Sequence, residues 1–132
     1  MYVDWNKCEN NVWCGLYSLD LTSVHFNNLM GVYVIWYWDK LGNSIAIRVG
    51  QGEIRERILY HRTNPQITAY RTVQQFPPRP IPQFRPLYVT WAEVKIEDDR
   101  LGVERYLANM LKPLVGEYPD VLPIPVNLPP WY

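Results

Sequence analysis

The sequence lacks the motifs that mark the commonest enzyme classes. It has no glycine-rich dinucleotide or phosphate loop, no His-Glu-x-x-His and no Gly-x-Ser-x-Gly, which excludes the familiar nucleotide-binding, zinc-protease and serine-hydrolase designs. Cysteine is scarce. Cys8 and Cys14 are the only two, with no Cys/His partners at zinc spacing, and this predicts free thiols in a reducing compartment rather than a disulfide framework. The longest apolar stretch, near residue 30, ends at Asp39, short of the roughly 20 residues that a bilayer span requires. The opening MYVDWNKCENN carries neither a basic leader nor a small-residue cleavage site, so the expectation is a cytoplasmic protein that engages no membrane. No internal repeat is present. Net charge is missing as well, because 13 Lys and Arg balance 13 Asp and Glu, so the chain as a whole does not point to a polyanionic partner.

The length, 132 residues with 48% apolar side chains, predicts one domain over 1–132 with material for a real core. Charge is unevenly placed along it. Between Arg48 and Arg85 stand seven arginines (Arg48, Arg55, Arg57, Arg62, Arg71, Arg79, Arg85), no lysine and two acids, Glu53 and Glu56. That local balance of plus five is offset by minus five elsewhere. A planar guanidinium matches two phosphate oxygens at once, so Arg48, Arg55, Arg62 and Arg71 are candidate nucleic-acid contacts, with a solvated arginine-rich surface as the alternative.

Patterning gives the elements. Residues 1–30 offer one weak alternating stretch, Leu16 to Leu21. Gly31 to Trp38 is rich in β-branched and aromatic residues and predicts a strand, followed by a turn over Asp39 to Asn43. Ser44 to Gly50 alternates, which predicts a second strand of a hairpin with Ile45, Ile47 and Val49 on one face and Ala46 and Arg48 on the other. Gly50-Gln51-Gly52 should break it, and Glu53 to Arg62 reads as a helix with Ile54 and Ile58 one turn apart. From Pro65 to Pro86 six prolines predict an extended loop of polyproline II character, crossing the surface or docking a partner protein. Leu87 to Ile96 reads as a third strand, and Asp99 to Leu111 as a second helix ended by Pro113. The proline-rich tail, 114–132, should run extended and dock through Val121, Ile124, Val126, Leu128 and Trp131. The expected fold is α+β: a small antiparallel sheet flanked by helices, with extended N- and C-terminal segments.

Gly31-Val32-Tyr33 on the first strand, Arg48-Val49-Gly50 ending the second, Arg57 and His61 on the following helix, and Glu104 on a helix closing in Lys112-Pro113 resemble the GIY-YIG nuclease domain. The resemblance spans 31–113 and treats 65–86 as an insertion. It implies a divalent-metal-dependent DNA endonuclease in which Glu104 holds Mg²⁺ or Mn²⁺, Arg57 clamps the scissile phosphate and Tyr33 is the general base, with Arg48 and His61 in support. Phosphodiester hydrolysis needs such types: a fixed cation, a guanidinium for the accumulating charge and a proton acceptor for the attacking water. A phenol titrates near 10, so Tyr33 needs nearby positive charge, which Arg48 and Arg57 could supply.

Two positions depart from the family pattern. Arg48 stands where the second motif has tyrosine, and Tyr37 is a candidate substitute. Leu114, Val115 and Gly116 follow Lys112-Pro113 where an asparagine is usual, leaving Asn127 as the nearest later candidate. The residues also have ordinary readings. Tyr33 could pack in the core, Arg57 could pair with Glu53, and Glu104 could pair with Arg100, each four residues apart on a helix in the last two cases. A catalytically degenerate nucleic-acid-binding domain, or an interaction module using the proline-rich loop, are the alternative functions.

Overall fold

β1 (Met30–Trp38) is a nearly unbroken run of β-branched and aromatic residues, and such a run belongs in a strand buried on both faces. In the computed structural model, which describes residues 1–73, 80–81 and 83–132, it is the centre of a three-stranded antiparallel sheet of order β2-β1-β5. β2 is Ser44–Glu53 and β5 is Tyr88–Glu93. The fold is α+β, as expected. Tyr33, Ile35 and Ile47 face a layer made by α1 (Ile54–Arg62) and the short α2 (Pro65–Thr68), through Ile54, Ile58 and Ile67. Val32, Val34, Trp36 and Val49 face α3 (Glu97–Leu111), through Val103, Leu107 and Leu111. Glu97, Asp98 and Asp99 occupy the first turn of α3, where carboxylates complement the helix dipole, and Lys112 ends it in the left-handed region with φ 50°. No helix among the described residues is long and apolar enough to cross a membrane.

Both sheet edges are covered, which removes a surface open to strand addition. Along β5, the N-terminal segment bonds through Asn6 N to Trp91 O (3.0 Å), Leu16 N to Leu87 O (2.8 Å) and Val89 N to Cys14 O (3.0 Å). Along β2, the tail bonds through Leu114 N to Ala46 O (3.1 Å) and Val115 N to Ile47 O (2.9 Å). The tail docks through Val126 and Trp131, with Ile124 and Leu128 packed beside them, while Val121, also expected to dock, stands outside this cluster. Trp131 stacks on Trp36 with centroids 4.3 Å apart, and both indoles donate to Thr90 Oγ1.

Several expectations are corrected. The alternation over Ser44 to Gly50 does not keep Ile45, Ile47 and Val49 on one face. A bulge lets Ile35 pair with Arg48 while Trp36 pairs with Ala46, so Ile47 joins the Tyr33 side and Val49 the opposite one. Gly50-Gln51-Gly52 continues the strand instead of breaking it, pairing with Tyr33, Val32 and Gly31. Leu16 to Leu21 forms turns after an isolated Gly15–Tyr88 bridge.

The cysteines are not free. Cys8 and Cys14 are disulfide-bonded, their Cα atoms 5.2 Å apart, because Asn10 and Asn11 take positive φ and fold the intervening chain back on itself. This removes the cysteine argument for a reducing compartment.

The loop after α1 opens with a helical turn, since Pro65 sits at a first-turn position where no N–H is needed. β3 (Thr72–Val73) and β4 (Gln83–Phe84) then pair as a short ladder. Most of the polyproline II expectation falls on 74–79 and 82, which lie outside the described residues.

Candidate functional site

Tyr33 is wholly buried on the α1 side of the sheet, opposite Gly50 of β2. A Cβ at position 50 would collide with the Tyr33 hydroxyl, so glycine there lets the ring lie flat across β2. The phenol oxygen meets two groups from α1: His61 Nε2 at 2.7 Å and Arg57 Nε, which donates at 3.3 Å. Burial pushes the phenol above its ordinary value, opposed by the Arg57 hydrogen bond and by the charges of Arg57 and Arg48. His61 is also wholly buried, and desolvation together with the same two arginines lowers it to about 3.

Glu104 comes from α3, on the other side of the sheet, and is 9% exposed. Among the described residues no Lys, Arg or His nitrogen lies within 4.0 Å of its carboxylate. Arg100, the ordinary partner one turn earlier, bonds instead to Gln51 Oε1 (3.0 Å) and to the Val94 and Lys95 carbonyls. Burial therefore raises the Glu104 carboxyl to about 7, against the pull of Arg48 and Arg57. Arg57 likewise makes no ion pair with Glu53. Arg48, on β2 between the two layers, has its Nε buried without a hydrogen-bond partner. The same two guanidinium groups thus act electrostatically on the phenol, the imidazole and the carboxyl, while the hydrogen bonds of the group join Tyr33, His61 and Arg57.

The other candidates lie elsewhere. Arg55 donates to the Leu21 and Ser23 carbonyls and to Asn27 Oδ1, and Arg62 to the Leu16 and Leu19 carbonyls, so both fasten the N-terminal segment to α1. Arg71 lies over the Tyr17 ring, 3.7 Å from its centroid. Tyr37 stacks near Tyr70 under Arg85, away from the Tyr33 hydroxyl and its partners. Asn127 binds Val3, accepting from its N–H (2.8 Å) and donating to its carbonyl (2.9 Å), and so joins the two ends of the chain.

Sequence reasoning missed Tyr118. Its hydroxyl accepts from Val49 N (3.1 Å) and donates to Val115 O (3.3 Å). Burial raises this phenol, Arg48 lowers it, and Glu104 and Tyr33 raise it, so it belongs to the same electrostatic cluster. A Cβ on Gly116, whose φ is 113°, would stand 2.8 Å from Tyr118 Oη and 3.2 Å from Arg48 Nη1. Glycine at 116 is what lets these two polar groups flank the backbone there. The available signal was the glycine just after the Lys112-Pro113 stop, two residues before a tyrosine.

Among the described residues no group of three or more His, Cys, Asp or Glu could hold a metal ion. The Glu104 carboxyl, buried without an ion-pair partner, is the type of group a hard cation such as Mg²⁺ or Mn²⁺ takes as a ligand, completing its shell with water and other oxygens. Comparison with protein-family models, with curated proteins and with solved structures finds no match.

Proposed function

We propose that the protein is a divalent-metal-dependent DNA endonuclease of the GIY-YIG type. The observation that carries this reading is the hydrogen bond of Arg57 to the Tyr33 hydroxyl, with the charges of Arg48 and Arg57 acting on both Tyr33 and Glu104, which come from different elements. The strand order, with β1 central and Glu104 on the helix after the third strand of the sheet, supports it as well. Arg57 and Arg48, both half-buried, are the guanidinium groups that would meet a phosphate, where such a group stabilises the charge that accumulates in the transition state. Tyr33 takes the proton of the attacking water, and Arg57 and Arg48 stabilise its phenolate. Glu104 would hold Mg²⁺ or Mn²⁺, which supplies positive charge to the phosphate oxygens. Tyr118 places a second phenol beside Arg48, where the family pattern would have put one at position 48 itself.

A plasmid-nicking assay with and without Mg²⁺ or Mn²⁺ tests this, run beside Glu104→Ala and Tyr33→Phe. Cleavage that needs the metal and is lost in both variants is the expected result. Cleavage undiminished by Glu104→Ala overturns the metal site.

A second reading, binding without cleavage, is favoured by the upward push of burial on the Tyr33 phenol. Its mark would be affinity for DNA that falls steeply with salt while no strand is cut.

A further inference from the structure

The His61 imidazole has one partner at each nitrogen. Nε2 lies 2.7 Å from Tyr33 Oη, and Nδ1 lies 3.4 Å from Asn64 Nδ2. Which nitrogen carries the proton decides whether His61 gives a hydrogen bond to Tyr33 or receives one. Asn64 settles the choice through its other contact. Its Oδ1 accepts the Gln66 backbone N–H at 3.1 Å, the side-chain cap of α2. A backbone N–H can meet only the oxygen of a carboxamide, so the Asn64 amide is fixed with its NH₂ toward His61. That NH₂ donates and cannot accept, so Nδ1 faces it with a bare lone pair. The buried ring is neutral above about pH 3, and its single proton is then on Nε2.

We propose that Asn64 is a positioning residue that locks His61 as the Nε2–H tautomer and makes it a hydrogen-bond donor to the Tyr33 oxygen. Tyr33 Oη then accepts from His61 Nε2–H and Arg57 Nε–H together, and its own hydrogen is turned away from both. A phenolate formed at Tyr33 keeps both donors without any rearrangement. In the opposite tautomer Tyr33 would spend its hydrogen on His61 Nε2, and ionising it would leave two lone pairs facing each other.

Nitrogen-15 NMR of the full-length protein with labelled histidine tests the lock directly. The expected spectrum has a pyrrole-type Nε2 and a pyridine-type Nδ1 for His61. Asn64→Asp keeps an oxygen for the Gln66 cap but sets a second acceptor against the ring, so Nδ1 should become pyrrole-type. Asn64→Ser keeps a capping oxygen and removes the amide, so the two tautomers should exchange. A native His61 protonated at Nδ1, or an Asn64→Asp spectrum like the native one, overturns the proposal.

The mechanistic consequence rests on the nuclease reading. There Asn64→Asp should lower kcat about a hundredfold with KM kept, since a general base held by the wrong tautomer loses most of its effect. Undiminished kcat in that variant would overturn the positioning role. A native protein that cuts nothing would overturn the nuclease reading and leave the tautomer to the spectrum.

Discussion

A carboxyl held near pH 7 by burial is partly protonated where most proteins are assayed, and this has a stability consequence of definite sign. Between the ordinary value of 4.5 and about 7 the folded protein binds the Glu104 proton while the unfolded chain releases it. Stability contributed by this group is therefore lost as pH rises through that window. Glu104→Gln should be more stable than the native protein at pH 8 by on the order of 2 kcal/mol, and equal to it at pH 4, in urea unfolding. On the nuclease reading, adding Mg²⁺ at pH 8 should raise the native Tm and leave that of Glu104→Gln unchanged, because that carboxylate is the proposed ligand. On the nuclease reading Tyr33 has the opposite demand, since the proposed base must be ionised and burial opposes ionisation. The cleavage rate should rise about tenfold per pH unit below the phenol pKa, and a flat profile between pH 7 and 9 would remove Tyr33 from the base role. Tyr118→Phe deletes one hydroxyl and keeps the ring. It strands the buried Val49 N–H that the hydroxyl accepts from, so it should lower stability by about 1–2 kcal/mol, read from the denaturation midpoint.

At the scale of elements, β2 carries the site. Its bulge puts Arg48 opposite Ile35 on the Tyr33 side, and Gly50 gives the phenol room. Gly50→Ala should cost about 2 kcal/mol of stability through forced overpacking, read from a denaturation midpoint, and should expel Tyr33 from its place against His61. Much of this layer was legible. The apolar run of β1, the Ile54–Ile58 spacing of α1 and the apolar stripe of α3 each placed an element within a few residues of where it lies. The bulge was not legible, because strict alternation and alternation with one extra residue differ only in which partner each residue meets across the strands. The gap between Gly50-Gln51-Gly52 as a break and as a strand has a similar cause. Glycine is a poor strand former in isolation, yet a Cβ at Gly50 would meet the Tyr33 hydroxyl, and Gly52 takes a φ of 132° that side chains rarely adopt.

At the scale of the whole molecule, the ends of the chain meet. Asn127 bonds to both backbone groups of Val3, Trp5 Nε1 donates to Asn127 O (2.9 Å), and the Met1 amino group reaches Pro125 O (3.1 Å). Asn127→Leu strands the Val3 N–H and carbonyl, so it should lower stability by about 2 kcal/mol in urea unfolding. Cleavage per folded molecule should be unaffected, which separates this asparagine from the chemistry. The tail comes to Arg48 at Gly116 and Tyr118, and it does so because Leu114 and Val115 add to the free edge of β2.

The sequence by itself determined the α+β order, the two helices with their buried stripes, and a short set of polar residues, Tyr33, Arg48, Arg57, His61 and Glu104, whose types suit phosphate chemistry. Periodicity and side-chain chemistry are local properties, and local properties are written along the chain. Only the tertiary structure decided that Arg55, Arg62 and Asn127 serve the scaffold, that Arg100 leaves Glu104 unpaired, that Cys8 joins Cys14, and that Tyr118 arrives at Arg48. Each of these depends on which distant backbone groups a side chain meets once the sheet edges are closed, and no spacing along the chain encodes that meeting.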